Sequence, residues 1–295
     1  MQKLIITIKK ALTIFLGVML LSITEMLAQD IKRPPVWGVA KMTFLVSDFN
    51  IARSFYGDFL GYEEAFSYHT DLGKVISFKV NDRQFLEFVE DSQIKRKNSF
   101  VSVSFHCDDI SGMEAYLKSR EINILKEHGL DNAGNEVLSI QSTEFYQIEF
   151  INFTKSGLHK RTATRFLGKE RVANRLHHAG LYVSDVAKAD YLFRDILGFW
   201  EMWRFKTAND IRPNFIYMGI PDCIENIEYL VTDDSNTSHP CFKVEDMQEM
   251  IYVLKERSGG RKIPRPIIGK GNRWLLNMKN EDNTKVEFTE SFTVR

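Results

Sequence analysis

The alternation of hydrophobic and polar positions predicts the same structural order four times along the chain. The first copy begins with a strand-like segment at 41–48 (KMTFLVSD) and continues with a helix-like segment at 51–60 (IARSFYGDFL). Three further strand-like segments follow, up to residue 90. Period-two alternation is typical of half-buried strands, and apolar residues spaced by three and four are typical of amphipathic helices. Gly61 follows the helical segment, as at a helix C-terminus. The pattern therefore predicts a βαβββ unit.

The same order restarts at Ser102, His178 and His239, and each copy closes on a strand that contains a glutamate. The four starting positions are separated by 61, 76 and 61 residues. From each start to the glutamate of the closing strand there are 46, 47, 50 and 48 residues. This regular spacing indicates an internal duplication, with two units in each half of the chain.

A chain of 295 residues is long enough for two domains, each with its own hydrophobic core. The repeats predict an N-terminal domain at 36–154 and a C-terminal domain at 176–295. Between them, residues 155–175 contain seven Lys or Arg and one acidic residue, without strand-like alternation. This composition predicts a basic, solvated linker between the domains.

The first 28 residues have the layout of a secretory signal peptide. Residues 1–10 carry three lysines and no acidic residue, residues 11–23 are almost wholly apolar, and Ala28 precedes a polar pair. The apolar segment is too short to cross a bilayer. We therefore expect export to the periplasm or the medium, with cleavage near Ala28 and no other membrane association. An uncleaved anchor remains open, because Met26 stands where a small residue is usual.

Charge and cysteine content narrow the choice of partners. The 39 basic and 39 acidic residues balance, which argues against nucleic acid as the main partner and favours a small molecule. Cys107, Cys223 and Cys241 are widely spaced, so at most one disulfide is expected and three reduced, largely buried thiols are predicted. The chain is expected to be a monomer or a homodimer.

The phrases VSDFNIARSFYGDFLGYEE and VSDVAKADYLFRDILGFWE, with the closing segments QIEF and KVEF, resemble the vicinal oxygen chelate superfamily. This superfamily contains glyoxalase I, extradiol dioxygenases, methylmalonyl-CoA epimerase and the bleomycin- and fosfomycin-resistance proteins. The resemblance extends from about Val36 to the C-terminus. It implies an α+β fold in which four βαβββ modules pair into two half-open barrels.

The resemblance also implies metal ligands at one position in the first strand of each module and at the glutamate of the last strand. In the C-terminal half these positions hold two imidazoles and two carboxylates, a donor set that suits one divalent ion such as Ni, Co, Mn, Zn or Fe: His178, Glu228, His239 and Glu287. In the N-terminal half they hold Lys41, Glu87, Ser102 and Glu149. Because lysine at neutral pH has no lone pair to donate, this half is predicted to be metal-free, with Lys41 paired to one of the two glutamates.

Further cavity residues follow from strand parity and charge. Tyr182 and Cys241 share the parity of the ligands on their strands, so both are candidates for contact with a substrate. Arg204 or Arg273 would bind an anionic substrate, and Asn277, ten residues before Glu287, is also a candidate. His177 is adjacent to His178, so alternation predicts that it faces away from the site. The aromatic stretch at 199–205 (FWEMWRF) is interpreted as core.

The His-Glu-His-Glu set resembles those of glyoxalase I and the metal-dependent epimerases. In these enzymes the ion stabilises an enediolate while a ligand glutamate takes the proton α to a carbonyl, which makes Glu287 the first candidate base and Glu228 the second. We therefore expect an isomerase, epimerase or lyase acting on a small α-hydroxycarbonyl, keto-sugar or similar oxygen-chelating substrate. Predicted export argues against the cytosolic glutathione adduct of glyoxalase I.

Two alternatives remain. An extradiol dioxygenase would match through His178, His239 and Glu287, although its acid–base residues are replaced near Cys223 and Ile224 and at Asn277. A non-catalytic binding protein, similar to the bleomycin-resistance proteins, would use a barrel only to hold a small molecule.

Overall fold

A computed structural model of the chain describes residues 31–93, 99–234 and 237–293. Within these ranges the four repeats form two eight-stranded mixed sheets, which curl into two half-open barrels. The predicted α+β architecture of paired βαβββ modules is confirmed. The predicted signal peptide lies outside the described residues. No helix of the described ranges is long and apolar enough to cross a membrane.

The N-terminal sheet has the strand order β2-β3-β4-β1-β5-β8-β7-β6, so the first strands of its two modules lie side by side at the centre. β1 pairs parallel with β4 and antiparallel with β5, and β5 pairs parallel with β8. The strands are β1 (Val39–Val46), β2 (Glu63–Thr70), β3 (Gly73–Lys79), β4 (Phe85–Glu90), β5 (Phe100–His106), β6 (Ile124–Leu130), β7 (Glu136–Gln141) and β8 (Gln147–Asn152).

The C-terminal sheet repeats this topology with the order β10-β11-β12-β9-β13-β16-β15-β14. The two sheets therefore carry their closing strands, β4 and β8 or β12 and β16, at equivalent places beside the central pair. The strands are β9 (Leu176–Val183), β10 (Trp200–Phe205), β11 (Phe215–Gly219), β12 (Asn226–Val231), β13 (His239–Val244), β14 (Ile267–Ile268), β15 (Arg273–Lys279) and β16 (Lys285–Thr293).

Each module's helix begins at an aspartate that follows the first strand of the repeat by two or three residues. The side chains of Asp48, Asp109, Asp185 and Asp246 accept hydrogen bonds from backbone N–H groups in the first turn. Such N-caps satisfy donors that have no partner within the helix. The helices are Phe49–Ala52, continued by the π-helical Arg53–Phe59; Ile110–Ser119; Val186–Asp190, continued by the π-helical Tyr191–Ile196; and Met247–Glu256.

Gly61 ends the first helical segment as predicted, and Gly198 ends the equivalent segment of the C-terminal half. Gly61 and Gly198 have φ angles of 80° and 72°, a left-handed conformation that glycine adopts without steric cost. The three cysteines are free, with Cys107 and Cys241 buried and Cys223 half-buried, which confirms the prediction of reduced thiols.

The two barrels share one hydrophobic core instead of two separate cores. Phe105 packs edge-on against Phe199 with ring centroids 5.4 Å apart, and Tyr62 stacks on Phe242 at 5.3 Å. The Tyr116 hydroxyl donates to the Ile196 carbonyl at 2.6 Å. Buried apolar side chains of both halves form one continuous cluster. The central strands that carry the functional positions are therefore supported from behind by the other barrel.

The segment at 155–175 is not a solvated connection throughout, so that expectation is wrong in part. It contains a short helix, Leu158–Arg161, which carries His159 to a fully buried position in the N-terminal barrel. There the imidazole stacks on Phe153 at 4.4 Å, and its Nε2 lies 3.0 Å from the Glu87 Oε1 atom. The physical reason is that a buried carboxylate needs hydrogen-bond partners, which the imidazole provides.

Candidate metal centre and cavity

Four adjacent strands carry the four predicted ligands. Glu228 lies on β12, His178 on β9, His239 on β13 and Glu287 on β16, in the order in which these strands pair. All four side chains point to the concave side of the sheet and are buried. One ligand atom from each lies within 4.8 Å of the ligand atoms of the other three. The four residues that occupy equivalent positions in the sequence repeats therefore form one cluster in space.

The distances place the two imidazoles between the two carboxylates. The His178 Nε2 atom lies 3.3 Å from Glu228 Oε2 and 3.7 Å from Glu287 Oε1. The His239 Nε2 atom lies 3.9 Å from Glu228 Oε2 and 3.7 Å from Glu287 Oε2. Most of these separations are too long for direct hydrogen bonds. They are the spacing expected of atoms that surround a common centre.

Several of these buried atoms have no hydrogen-bond partner. They are both ring nitrogens of His178, the His239 Nε2 atom, Glu228 Oε2 and Glu287 Oε1. Buried polar atoms nearly always have a partner, and four of these five, all except His178 Nδ1, lie around one centre, which is typical of a binding site for a shared partner. Neutral imidazoles and carboxylates are the ligands that divalent transition metals prefer. The donor set therefore fits one divalent ion.

The environment keeps His239 and Glu287 in the forms that ligation requires. His239 Nδ1 donates to the Thr237 carbonyl oxygen at 2.7 Å, which leaves the Nε2 lone pair directed at the centre. Burial raises the pKa of Glu287, but His239, Lys285 and His178 lower it more, so that this pKa lies well below its usual range. Glu287 is therefore a carboxylate at neutral pH.

Gly180 makes room for the His239 ring. It lies opposite His239 on the neighbouring strand, and a Cβ atom at this position would lie 2.4 Å from the imidazole Cε1 atom. No side chain fits at that distance. The imidazole therefore lies directly over the backbone of β9, which fixes its orientation toward the centre.

A cavity of about 450 Å³, with His178, Glu228 and Glu287 in its lining, opens between the two edges of the C-terminal sheet. One wall is aromatic: Trp203 and Tyr217 stack with their ring centroids 4.9 Å apart, and Tyr217 contacts His178 edge-on at 5.5 Å. Three cations also line it, Lys270, Arg273 and Lys285. The cavity thus combines a polar floor, a flat apolar wall and positive charge.

Two of the predicted substrate-binding residues line this cavity. Arg273 belongs to β15, near the mouth. Asn277 lies directly opposite Glu287 in the antiparallel pairing of β15 and β16, and its buried Oδ1 atom has no partner. Both side chains are therefore placed to contact a molecule bound beside the four ligands.

Three other candidates lie elsewhere. Arg204 is on the outside, paired with Glu201, because its position on β10 faces away from the cavity. Tyr182 and Cys241 have the inward parity that was predicted, but both are buried and neither forms part of the cavity wall. Burial and the neighbouring carboxylates raise the pKa of the Cys241 thiol well above its usual value, so it stays neutral beneath Glu287.

His177 corrects the expectation from simple alternation, because it lines the cavity together with His178. In the pairing of β9 with β13, His178 lies opposite Cys241 and Leu176 opposite Phe242, so His177 is an extra residue in a β-bulge. A bulge redirects the side chain it inserts. Burial, His178 and Arg273 lower the pKa of His177 to about 3, so its ring is neutral.

Sequence reasoning missed Trp203, Tyr217 and Lys285. Tyr217 lies opposite Glu228 in the pairing of β11 with β12, and Lys285 Nζ is 3.5 Å from Glu287 Oε2. Trp203 had been interpreted as core. Lys285 lies two residues before Glu287, so strand alternation could have predicted that both side chains face the cavity. The position of Tyr217 depends on the register of a hairpin, which the sequence does not show.

The N-terminal barrel has the same positions but fills them differently. Lys41 Nζ lies 2.9 Å from Glu87 Oε2 and 3.4 Å from Glu149 Oε2, which confirms the predicted pairing and extends it to both glutamates. The Tyr68 hydroxyl donates to Glu87 Oε2 at 2.8 Å. Burial raises the pKa of Glu87, but Lys41 and His159 lower it more, so this pKa lies well below its usual range.

No protein-family model matches the chain, and no curated protein matches it in sequence. Solved structures with the same fold are two-domain extradiol dioxygenases of the vicinal oxygen chelate superfamily. LapB, a 2,3-dioxygenase from Pseudomonas sp. KL28, is 14% identical with a TM-score of 0.69, over 88% of this chain and 94% of that chain. Homoprotocatechuate 2,3-dioxygenase from Arthrobacter globiformis is 15% identical with a TM-score of 0.69, over 90% and 82%.

The homoprotocatechuate 2,3-dioxygenase of Brevibacterium fuscum, solved in complex with 3,4-dihydroxyphenylacetate, is 15% identical with a TM-score of 0.64, over 88% of this chain and 82% of that chain. At these identities the similarity shows the fold. This chain therefore has the two-barrel vicinal oxygen chelate fold, with a buried cluster that fits one metal ion in its C-terminal barrel.

Proposed function

We propose that the protein is an exported, metal-dependent enzyme whose active site is the cavity of the C-terminal barrel. The observation that carries this proposal is the set of buried, unpartnered imidazole and carboxylate atoms of His178, Glu228, His239 and Glu287. When bound, a divalent ion there would polarise two adjacent substrate oxygens. Four protein ligands on a six-coordinate ion leave two positions for these oxygens.

The reaction that the residues support best is proton transfer next to a carbonyl, giving isomerisation, epimerisation or β-elimination. Glu287 lies at the cavity floor, opposite Asn277 and beside Lys285, so it is the first candidate base. Glu228, with Tyr217 opposite it, is the second. A small α-hydroxycarbonyl or keto-sugar would present both the chelating oxygens and the acidic C–H bond.

Extradiol-type ring cleavage is the second candidate, and the shared fold of the dioxygenases favours it. His178, His239 and Glu287 would form the two-histidine, one-carboxylate triad of non-haem iron oxygenases. Asn277 and the loop at Cys223 do not provide the expected acid–base residues. However, His177 and Tyr217 lie in the cavity wall and would be the candidates for that role.

Metal analysis of the purified chain tests the proposal. We expect one equivalent of divalent metal per chain, lost in the double variant His178→Ala/His239→Ala. The matched control is Ser102→Ala, because Ser102 occupies the position of His239 in the N-terminal barrel, and it should leave the metal content unchanged. A metal-free wild-type chain that still binds small molecules would instead support a non-catalytic binding protein.

A substrate screen then separates the reactions. Hydroxy-ketones, keto-sugars and catechols would be incubated with the Ni, Co, Mn, Zn and Fe forms while oxygen uptake is recorded. Product formation without oxygen uptake supports an isomerase or lyase, and the variant Glu287→Gln should then form no product. Stoichiometric oxygen uptake with the iron form supports the dioxygenase.

A further inference from the structure

Two cations at the mouth of the C-terminal cavity have no acidic partner among the residues that the structure describes. Lys270 and Arg273 belong to the hairpin formed by β14 and β15, and both line the cavity. Two other cations of this barrel form ion pairs with carboxylates: Lys285 with Glu287 and Arg204 with Glu201. The two hairpin cations are therefore available to an anion that enters from outside.

Arg273 is held in position by an imidazole nitrogen instead of a carboxylate. Its Nη1 atom donates to the His177 Nε2 atom at 3.3 Å, and the β-bulge at His177 is what turns that ring toward the cavity. A guanidinium can only donate hydrogen bonds, and its planar fork suits a carboxylate bound through both oxygens. His177 thus orients Arg273 without neutralising its charge.

The hairpin reaches across the cavity to the opposite edge of the sheet. A Cβ atom at Gly271 would lie 3.4 Å from the Trp203 ring, and Lys270 Nζ lies 5.1 Å from the centre of the Phe205 ring. Trp203 and Tyr217, whose ring planes differ by 11°, form a flat wall that runs along the cavity. Between the polar floor and the cationic mouth, Phe215, Leu230 and Leu275 also line the cavity.

We propose that the substrate is an oxygen-chelating molecule with a flat, apolar body and a carboxylate, such as an aryl hydroxy-ketone acid or a catechol acid instead of a simple keto-sugar, and that Arg273 determines this specificity by binding the carboxylate at the mouth. This inference rests on the proposed metal function, because the other end of the same molecule would reach the four ligands. Lys270 adds long-range attraction from the tip of the hairpin. A carboxylate on Arg273 would form charge-assisted hydrogen bonds, which are stronger than those between neutral groups.

The test uses the full chain loaded with zinc, titrated calorimetrically without oxygen. The probes are catechol, which offers only two adjacent oxygens, and three acids that add a carboxylate at increasing reach: 3,4-dihydroxybenzoate, 3,4-dihydroxyphenylacetate and 3-(3,4-dihydroxyphenyl)propanoate. We expect at least one acid to bind about tenfold to a hundredfold more tightly than catechol. Arg273→Gln should remove most of this preference, and Lys270→Gln a smaller part.

Arg204→Gln is the matched control, since it removes an arginine of the same barrel that lies outside the cavity, and it should keep the full preference. If zinc binds but no acid exceeds catechol, or if the preference survives in Arg273→Gln, the inference is overturned while the metal function stands. If zinc does not bind to the wild-type chain, the proposed metal function itself fails. Zinc content measured before each titration distinguishes the two cases.

Discussion

The two barrels present the same inward glutamates around a central point, but they balance the negative charge in different ways. In the N-terminal barrel Lys41 lies between Glu87 and Glu149, and Tyr68 and His159 complete the hydrogen bonds of Glu87. In the C-terminal barrel, imidazoles replace the lysine and the serine, and the buried polar atoms remain without partners.

This difference shows how a duplicated scaffold can separate structure from binding. The strand register holds the carboxylates in both halves, so the residues on the first strands of the modules decide what neutralises them. In the N-terminal half a fixed ammonium contacts both carboxylates. In the C-terminal half Lys285 contacts only Glu287, and two neutral imidazoles add no charge, so Glu228 and the unpartnered ring nitrogens are left to an ion from solution.

The largest effect that would test the comparison is removal of the internal cation. Lys41→Met leaves buried carboxylates without their ammonium, so we expect a loss of about 3 to 5 kcal/mol in the free energy of unfolding. Urea unfolding measures it, and the metal content should not change. The control is Lys188→Met, at an exposed position paired with Asp185, which should have little effect. Unchanged stability in Lys41→Met would contradict the role assigned to Lys41.

A smaller effect is expected from crowding the C-terminal site. Gly180→Thr introduces the residue found at the equivalent position of the N-terminal barrel, Thr43, and its Cβ atom would clash with the His239 ring. We expect a loss of about tenfold to a hundredfold in metal affinity, measured by competition with a chelator. The reverse change, Thr43→Gly, should leave metal affinity unchanged. Wild-type affinity in Gly180→Thr would mean that His239 is not a ligand.

The smallest effect concerns the pH dependence of the N-terminal network. Because the pKa of Glu87 is lower in the folded than in the unfolded chain, its stabilisation is present above the unfolded value of about 4.3 and is lost as the pH falls toward the folded value. Wild-type stability should therefore decrease on acidification from pH 5 to 3, with up to about 1.4 kcal/mol per pH unit coming from this one proton.

In Glu87→Gln this contribution should be missing, so the stability curve should be flatter over the same range. Urea unfolding at half-unit pH steps provides the measurement. Equal slopes in the two proteins would show that Glu87 is not held ionised by Lys41 and His159.

The sequence predicted the fold because the repeats are encoded locally. Alternation marked the strands, and the recurring aspartate proved to be the N-cap that starts each helix. The four clustered side chains were predicted from the resemblance to the vicinal oxygen chelate superfamily, and the regular repeats allowed its ligand positions to be assigned to residues of this chain. These features depend on periodicity, which a single chain displays directly.

The rest of the cavity depends on geometry that periodicity does not contain. His177 enters the cavity through a one-residue bulge, and Met202 and Trp203 both line it at a second irregularity, in the pairing of β10 with β11. Tyr217 is brought to Glu228 by the register of a hairpin. His159 reaches Glu87 from a segment with no strand pattern, so nothing in its spacing relates it to the repeats.

The joint between the barrels links their stabilities. The Ser47 hydroxyl, after the end of β1, donates to Asp282, and the Ser184 hydroxyl, after the end of β9, donates to Glu144. Each half therefore binds the end of a central strand of the other half through the same kind of hydrogen bond. Because the two halves share one hydrophobic core, neither half can unfold without exposing apolar surface of the other. An ion that binds only in the second half would therefore also raise the melting temperature of the first half.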